Sequence, residues 1–166
     1  MILNPLQNSP VLLGGNWLQK RPRVTQLFGK NPDIYAQFGL DGHNGLDYGV
    51  VVGTQLYAPF EGFVHKVGDD GVGGYGKHIK LRKDNLEVVL AHLSEVNVKS
   101  RDVVHLGDKI AKTGNTGFST GPHLHFGLRF LNSNGGVVNY DNGFKGYVDP
   151  IEYLLTWKGT MLNPEF

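Results

Sequence analysis

The sequence predicts a mainly β, antiparallel domain with one short helix near the C-terminus. From Val24 onward, short apolar runs alternate with glycines at a spacing typical of strands and turns. The 166 residues include 24 glycines, about twice the usual share. These glycines follow no three-residue period, so they do not indicate collagen. A helical signal occurs only around residues 149–155.

The first 23 residues form a predicted irregular arm, and residues 24–166 form the predicted single domain. Pro5 and Pro10 interrupt any periodic pattern in the arm. Because the start of the chain also has no basic residues, it is a poor secretory signal. No stretch approaches the ~20 apolar residues that cross a bilayer, so we expect no membrane span.

Seven apolar segments bounded by turn residues are predicted strands. They are residues 24–28, 46–52, 55–58, 60–67, 77–83, 86–93 and 123–130.

Two of these segments are predicted to form a hairpin around the two-residue turn Asp84-Asn85. Directly opposed residues share a sheet face, and this register places Lys77 opposite His92. His92 is therefore expected at the end of the apolar, inward face, and His78 on the charged, solvent-exposed face. The apolar face also holds Ile79, Leu81, Val88 and Leu90.

The segment 123–130 alternates without a break, with leucine and phenylalanine on one face. His123 and His125 lie on the other face, about 6.6 Å apart along the strand. At this spacing, one histidine can bind a metal ion while the other reaches the reactive position beside it.

The helical signal near the C-terminus consists of residues that typically begin a helix. Asp149 can act as N-cap, Pro150 suits the first helical position, and Glu152 has the spacing of a capping box.

The composition excludes several classes of protein. The chain has no cysteine, which excludes disulfide scaffolds, cysteine-ligated zinc and thiol nucleophiles. The formal net charge of +1 gives no reason to expect nucleic acid or an anionic membrane as partner. Aromatic residues make up 11% of the chain, which argues against disorder.

The candidate chemistry lies in three segments that carry histidine. His43, Asp47 and one member of the His123/His125 pair would give two imidazoles and one carboxylate, a set that suits catalytic zinc. The remaining histidine of the pair and His92 could then orient the water, move protons and stabilise an oxyanion. The same ligand types also bind Fe(II) in oxygenases, although those enzymes normally place histidine and carboxylate two residues apart.

Several motifs, in this order along the chain, match a known family. They are His43-x3-Asp47, Gly53-Thr-x3-Ala58-Pro59, Tyr75-Gly76, Ala91-His92-Leu93, the run from Thr113 to Phe126, and Val148-Asp149-Pro150. On these residues the chain resembles the lysostaphin-type (LytM-like) zinc metalloendopeptidases, which cut peptidoglycan peptides. The resemblance extends from about Val24 to Leu155.

The resemblance implies a two-sheet antiparallel β fold and one Zn²⁺ per chain. It implies that His43, Asp47 and His125 bind the zinc, and that His92 and His123 are catalytic without being ligands. Family members often place a tyrosine near the oxyanion, for which Tyr35 is a candidate.

The resemblance also implies the partner and the place of action. The partner would be the peptides of bacterial peptidoglycan, cut in the cell wall by a periplasmic, extracellular or phage-delivered enzyme. We expect a monomer that binds no nucleic acid.

Two alternatives remain besides the peptidase. Some family members have lost ligands and act as regulators, so a non-catalytic cell-wall binding or activator module is the first. This sequence retains every implied ligand and both catalytic histidines, which favours activity. A non-heme Fe(II) oxygenase is the second, and it gives His92 and His123 no clear role.

Overall fold

The computed structural model describes residues 2–3, 5 and 23–155, and these residues are mainly β-strand. The strands form two antiparallel sheets, which confirms the predicted fold class. Most of the predicted N-terminal arm lies outside the described residues. Within the described part, no helix combines the length and the apolar character needed to pass through a bilayer.

The described strands are numbered in chain order. They are β1 (Ile2–Leu3), β2 (Arg23–Gln26), β3 (Leu46–Gly49), β4 (Gln55–Tyr57), β5 (Gly62–Asp69), β6 (Lys77–Lys83), β7 (Leu86–Ala91), β8 (Leu93–Val96), β9 (Val103–Val104), β10 (Lys109–Thr113), β11 (His123–Phe130), β12 (Tyr147–Val148) and β13 (Leu154–Leu155). One short α-helix, α1 (Pro32–Tyr35), continues into a 3-10 turn at Ala36–Phe38.

The larger sheet has eight strands and the smaller one has three. The order in the larger sheet is β2-β3-β11-β7-β6-β5-β9, with β12 pairing against β11. The order in the smaller sheet is β4-β10-β8. A separate parallel pair joins β1 to β13, so Ile2 and Leu3 lie beside Leu154 and Leu155, the last residues that the structure describes.

The predicted β6–β7 hairpin is present in the expected register. Arg82 pairs with Glu87 and Ile79 with Leu90, and Asp84 adopts a φ of 51° in the turn. The expected pairing of Lys77 with His92 is not formed. Strand β7 ends at Ala91, because His92 has a left-handed backbone with a φ of 61°.

The main hydrophobic core lies between the two sheets. The larger sheet contributes alternate residues from β3, β6, β7 and β11, and the smaller sheet contributes residues from β4, β8 and β10. Fully buried members include Leu46, Leu56, Ile79, Leu90, Leu93, Ile110, Leu124, Phe126 and Leu128. Because side chains alternate along a strand, the intervening residues of β3 and β11 are directed to the opposite face of the larger sheet.

The predicted C-terminal helix is a single 3-10 turn, Pro150–Tyr153. Asp149 caps it as expected, since its side chain accepts a hydrogen bond from the Ile151 N–H at 3.0 Å. The turn ends where Leu154 becomes extended and enters β13.

Candidate metal centre

Two adjacent strands place a histidine and an aspartate side by side on the outer face of the larger sheet. His125 on β11 lies directly opposite Asp47 on β3 in the antiparallel ladder. Side chains of such a pair project to the same face with their Cβ atoms about 5 Å apart. The neighbours Leu124 and Phe126 enter the core, as the alternation predicts.

The third residue, His43, lies in the loop before β3. Its backbone is held against the chain at residues 29–30, where Gly29 N–H donates to His43 O and His43 N–H donates to Lys30 O. Its Nδ1 lies 3.1 Å from Leu27 O. Because a carbonyl oxygen only accepts, Nδ1 donates this hydrogen bond, and in the neutral ring the Nε2 lone pair is left for the centre.

Three polar atoms converge in this centre. His43 Nε2 lies 2.9 Å from His125 Nδ1, and both nitrogens lie 3.0 Å from Asp47 Oδ1. All three residues are buried, and together they could hold a metal ion. The separations are slightly below the ~3.3 Å expected between ligands that share a tetrahedral ion at about 2.0–2.1 Å.

The electrostatics of the centre favour the protonation states of metal ligands. Burial would raise the pKa of Asp47, but its close contacts with His125 and then His43 hold it well below its usual range. Burial lowers the pKa of His125. Asp47 is therefore a carboxylate and His125 a neutral imidazole, which are the forms that bind metal.

The side chain of His92 also lies at this centre, because its backbone adopts a conformation that the sequence did not predict. Its ring centroid lies 4.5 Å from that of His123 and 6.0 Å from that of His125. The prediction that His92 ends the inward, apolar face is wrong. The left-handed φ at His92 turns its side chain to the outer face, and Leu93 takes the core position as β8 begins in the smaller sheet.

His92 and His123 are both held in a defined tautomer by backbone carbonyls. His92 Nδ1 donates to Thr116 O at 2.8 Å, and His123 Nδ1 donates to Gly121 O at 2.8 Å. In the neutral form of each ring, Nε2 therefore carries the lone pair. His123 Nε2 lies 3.6 Å from Asp47 Oδ2, and burial, with repulsion from His125 and His123, lowers the pKa of His92 to about 3.

Three residues that the ligand pattern did not single out support the centre. The Asn44 amide donates to the Tyr75 hydroxyl at 2.8 Å, and the Tyr75 ring lies 5.3 Å from the ring of His125. A Cβ at Gly45 would lie 2.7 Å from His125 Cε1, so only glycine leaves room for that ring. Of these three residues, the sequence motifs included only Tyr75, in the Tyr75-Gly76 dipeptide.

Tyr35 lies beside the centre, where the resemblance suggested a tyrosine. Its ring centroid is 5.3 Å from that of His43, and it lines the same cavity. Burial, followed by the charge of Asp47, raises the pKa of Tyr35 to about 12. The hydroxyl is therefore protonated at neutral pH and can donate a hydrogen bond.

His78 departs from its predicted surface position. It does lie on the charged face of β6, but only 2% of its side chain is exposed. The Tyr75 ring covers it at 5.7 Å, and its Nδ1 donates to Gly76 O at 2.9 Å. Gly68 on the neighbouring strand leaves the space that its ring occupies.

The metal centre forms part of the wall of a cavity of about 710 Å³. One wall comes from α1 and the following turn, and the other from the loop at residues 114–122. Phe38 and Phe118 meet edge to face across these walls at 5.1 Å. The cavity is therefore a cleft with aromatic edges, large enough for several residues of a peptide.

Two loops beside the cleft are packed backbone to backbone through glycines. A Cβ at Gly76 would clash with the backbone of Gly117, and a Cβ at Gly117 would clash with that of Gly76. Phe118 N–H also donates to Gly74 O at 2.9 Å. The contact fixes the segment that carries Thr116, whose carbonyl orients His92.

Comparison with known proteins shows which family the sequence matches. The sequence profile of peptidase family M23 matches residues 41–140. A metalloprotease of Haemophilus influenzae, itself described as uncharacterized, is 39% identical over 74% of this chain and 25% of its own length. The peptidoglycan DD-endopeptidase ShyA of Vibrio cholerae is 34% identical over 52% of this chain and 20% of its own length.

A solved structure agrees with the sequence matches. The catalytic domain of lysostaphin, an antimicrobial peptidase from Staphylococcus simulans, superposes with a TM-score of 0.58 at 31% identity, covering 68% of this chain and 79% of that domain. The matched part of the chain thus corresponds to a catalytic domain in that structure, and to a quarter or less of the length of the two curated relatives.

Proposed function

The chain belongs to peptidase family M23, and we propose that it is a zinc-dependent endopeptidase that cuts stem or cross-bridge peptides of bacterial peptidoglycan. The observation that supports this most is the convergence of His43, Asp47 and His125 at the wall of a peptide-sized cleft. The named relatives ShyA and lysostaphin support a site of action in the bacterial cell wall.

The donor atoms suit zinc. Zinc binds imidazole nitrogen and carboxylate oxygen, and in catalytic sites it keeps three protein ligands and one further position. His43 Nε2, Asp47 Oδ1 and His125 Nδ1 would be those three atoms. Bound zinc would supply Lewis acidity toward the scissile carbonyl and would lower the pKa of water to about 7.

The two other histidines would handle the protons. With Nδ1 held by a carbonyl, His123 presents the Nε2 lone pair to the reacting water, can remove its proton and can pass that proton to the leaving amine. His92 presents Nε2 beside His123 and can accept a second hydrogen bond that orients the water. The Tyr35 hydroxyl is a protonated donor that can stabilise the oxyanion.

The domain boundaries enter this proposal as well. We assign catalysis to residues 24–166, with residues 1–23 as an N-terminal arm, and we expect the enzyme to act as a monomer.

Digestion of purified sacculi tests the function. The zinc-loaded protein should release soluble fragments whose masses identify the bond that is cut. His125→Ala should lose zinc, because it removes a ligand. His123→Ala should keep zinc and lose activity, because it removes only the proton carrier. Equal zinc loss in both variants, or no release from several cross-bridge chemotypes, would contradict the assignment.

A further inference from the structure

The cleft contains a lysine that the catalytic assignment does not use. Among the described residues, three cations besides histidine line the cleft: Lys80, Arg129 and Lys145. Lys145 Nζ donates to Phe38 O at 2.6 Å, and Arg129 is bound to Glu87 at 2.6 Å. Within residues 23–155, no hydrogen bond or ion pair involves the Lys80 ammonium.

The charges around Lys80 leave an excess of cations. Arg82 and Arg129 both bind Glu87, at 2.6 Å each, so two guanidinium groups share one buried carboxylate. Burial, and then repulsion from Arg129, lowers the pKa of Lys80. An incoming anion would therefore relieve repulsion at this end of the cleft.

Asp70 also lines the cleft, and its carboxylate has partners other than Lys80. Asp70 Oδ2 accepts from the Tyr75 N–H at 3.3 Å and lies 3.8 Å from His78 Nδ1. Asp70 does attract Lys80 through space, but it forms no ion pair with it.

The sheet register gives the distance from Lys80 to the metal centre. Lys80 pairs with Val89 on β7, and Val89 pairs with Gly127 on β11, two residues from His125. Two strand spacings of ~4.8 Å and one two-residue step of ~6.8 Å put the Lys80 and His125 Cα atoms roughly 12 Å apart. That is the span of three to four residues of extended peptide.

We propose that Lys80, with Arg129 beside it, forms a carboxylate subsite at the end of the cleft away from the metal centre. The substrate would then be a peptide with a free carboxyl group near the cut bond, as peptidoglycan stem peptides have, rather than a neutral glycine bridge. This inference rests on the proposed peptidase function.

The test compares two forms of one substrate. Cross-linked muropeptides with free carboxyl groups are compared with the same muropeptides after carbodiimide coupling to ammonia, which converts the carboxyl groups into carboxamides. The wild-type enzyme should cleave the free form with a kcat/KM about tenfold higher, since one charge-assisted hydrogen bond is worth at least that factor.

Variants test whether Lys80 is the source of the preference for free carboxyl groups. Lys80→Gln should cleave both forms at the rate of the amidated one, and Lys80→Arg should keep the preference because it keeps the charge. Lys109→Gln removes an exposed charge from the smaller sheet and should change nothing. A wild type without preference, or a Lys80→Gln enzyme that retains it, would overturn the subsite.

A binding measurement separates this inference from the peptidase proposal. If the zinc-loaded wild type cuts neither form, the proposed function fails. Calorimetric titration of both forms into His123→Ala then decides the subsite. If His123→Ala binds the free form more tightly, and this difference disappears when Lys80→Gln is added to the same protein, the subsite is supported. Equal affinity of His123→Ala for the two forms rejects the subsite.

Discussion

Gly45→Ala should weaken zinc binding although it removes no ligand. An added Cβ would lie 2.5 Å from Phe126 O, 2.7 Å from His125 Cε1 and 2.9 Å from His125 Nε2. Ordinary contact begins at 3.4 Å, so the imidazole has to move by about 0.7 Å (3.4 minus 2.7). Metal–ligand distances tolerate only about 0.2 Å, and we expect a 10- to 100-fold loss of zinc affinity.

Competition with a chromophoric chelator measures this loss, and circular dichroism checks that the variant folds. Gly73→Ala is the matched control, because nothing lies within 4 Å of an added Cβ there. A Gly45→Ala protein that folds and binds zinc as tightly as the control would refute the reasoning. Such a result would mean that β11 shifts to accept the added Cβ while the His125 ring keeps its position at the metal.

Three further predictions concern stability. Tyr75→Phe removes the acceptor of the Asn44 amide and should cost about 1 kcal/mol in denaturant unfolding; an unchanged midpoint would show that the amide finds another partner. Burial raises the pKa of Glu87, but the charge of Arg129 and hydrogen bonds from Arg82 and Arg129 outweigh this and lower it. Its stabilisation is therefore present above the unfolded-state pKa and lost as the pH falls through the folded-state pKa. Glu87→Gln should cost about 3 kcal/mol at pH 7 and progressively less below about pH 4, and a pH-independent difference would contradict this. Zinc at a thousandfold excess over its Kd should add about 4 kcal/mol to the free energy of unfolding, and an equal gain in Asp47→Asn would place the ion elsewhere.

The elements set by local pattern could be predicted from the sequence. The two-residue turn at Asp84-Asn85 fixes the register of the β6–β7 hairpin, and the alternation of β11 separates core from site residues. The pairing of His125 with Asp47 was not predicted, because it depends on which strands become neighbours.

The departures arise where tertiary structure overrides a local pattern. A regular strand would direct His92 inward, but the chain changes sheets at this residue through a left-handed φ that few residues other than glycine adopt. His78 lies on a polar face, yet the Tyr75 ring covers it. The carbonyls of Leu27 and Thr116, which set the histidine tautomers, belong to loops and leave no trace in side-chain pattern.

The contact between Gly76 and Gly117 has a consequence for protein engineering. Specificity in such a cleft invites exchange of the loop at residues 114–122 with that of another peptidase. The turn at residues 74–76 is complementary to that loop, and any side chain at either glycine forces the two backbones apart. A graft of one loop alone would shift Thr116 and the ring it orients, so the two segments have to be transplanted as a single cassette.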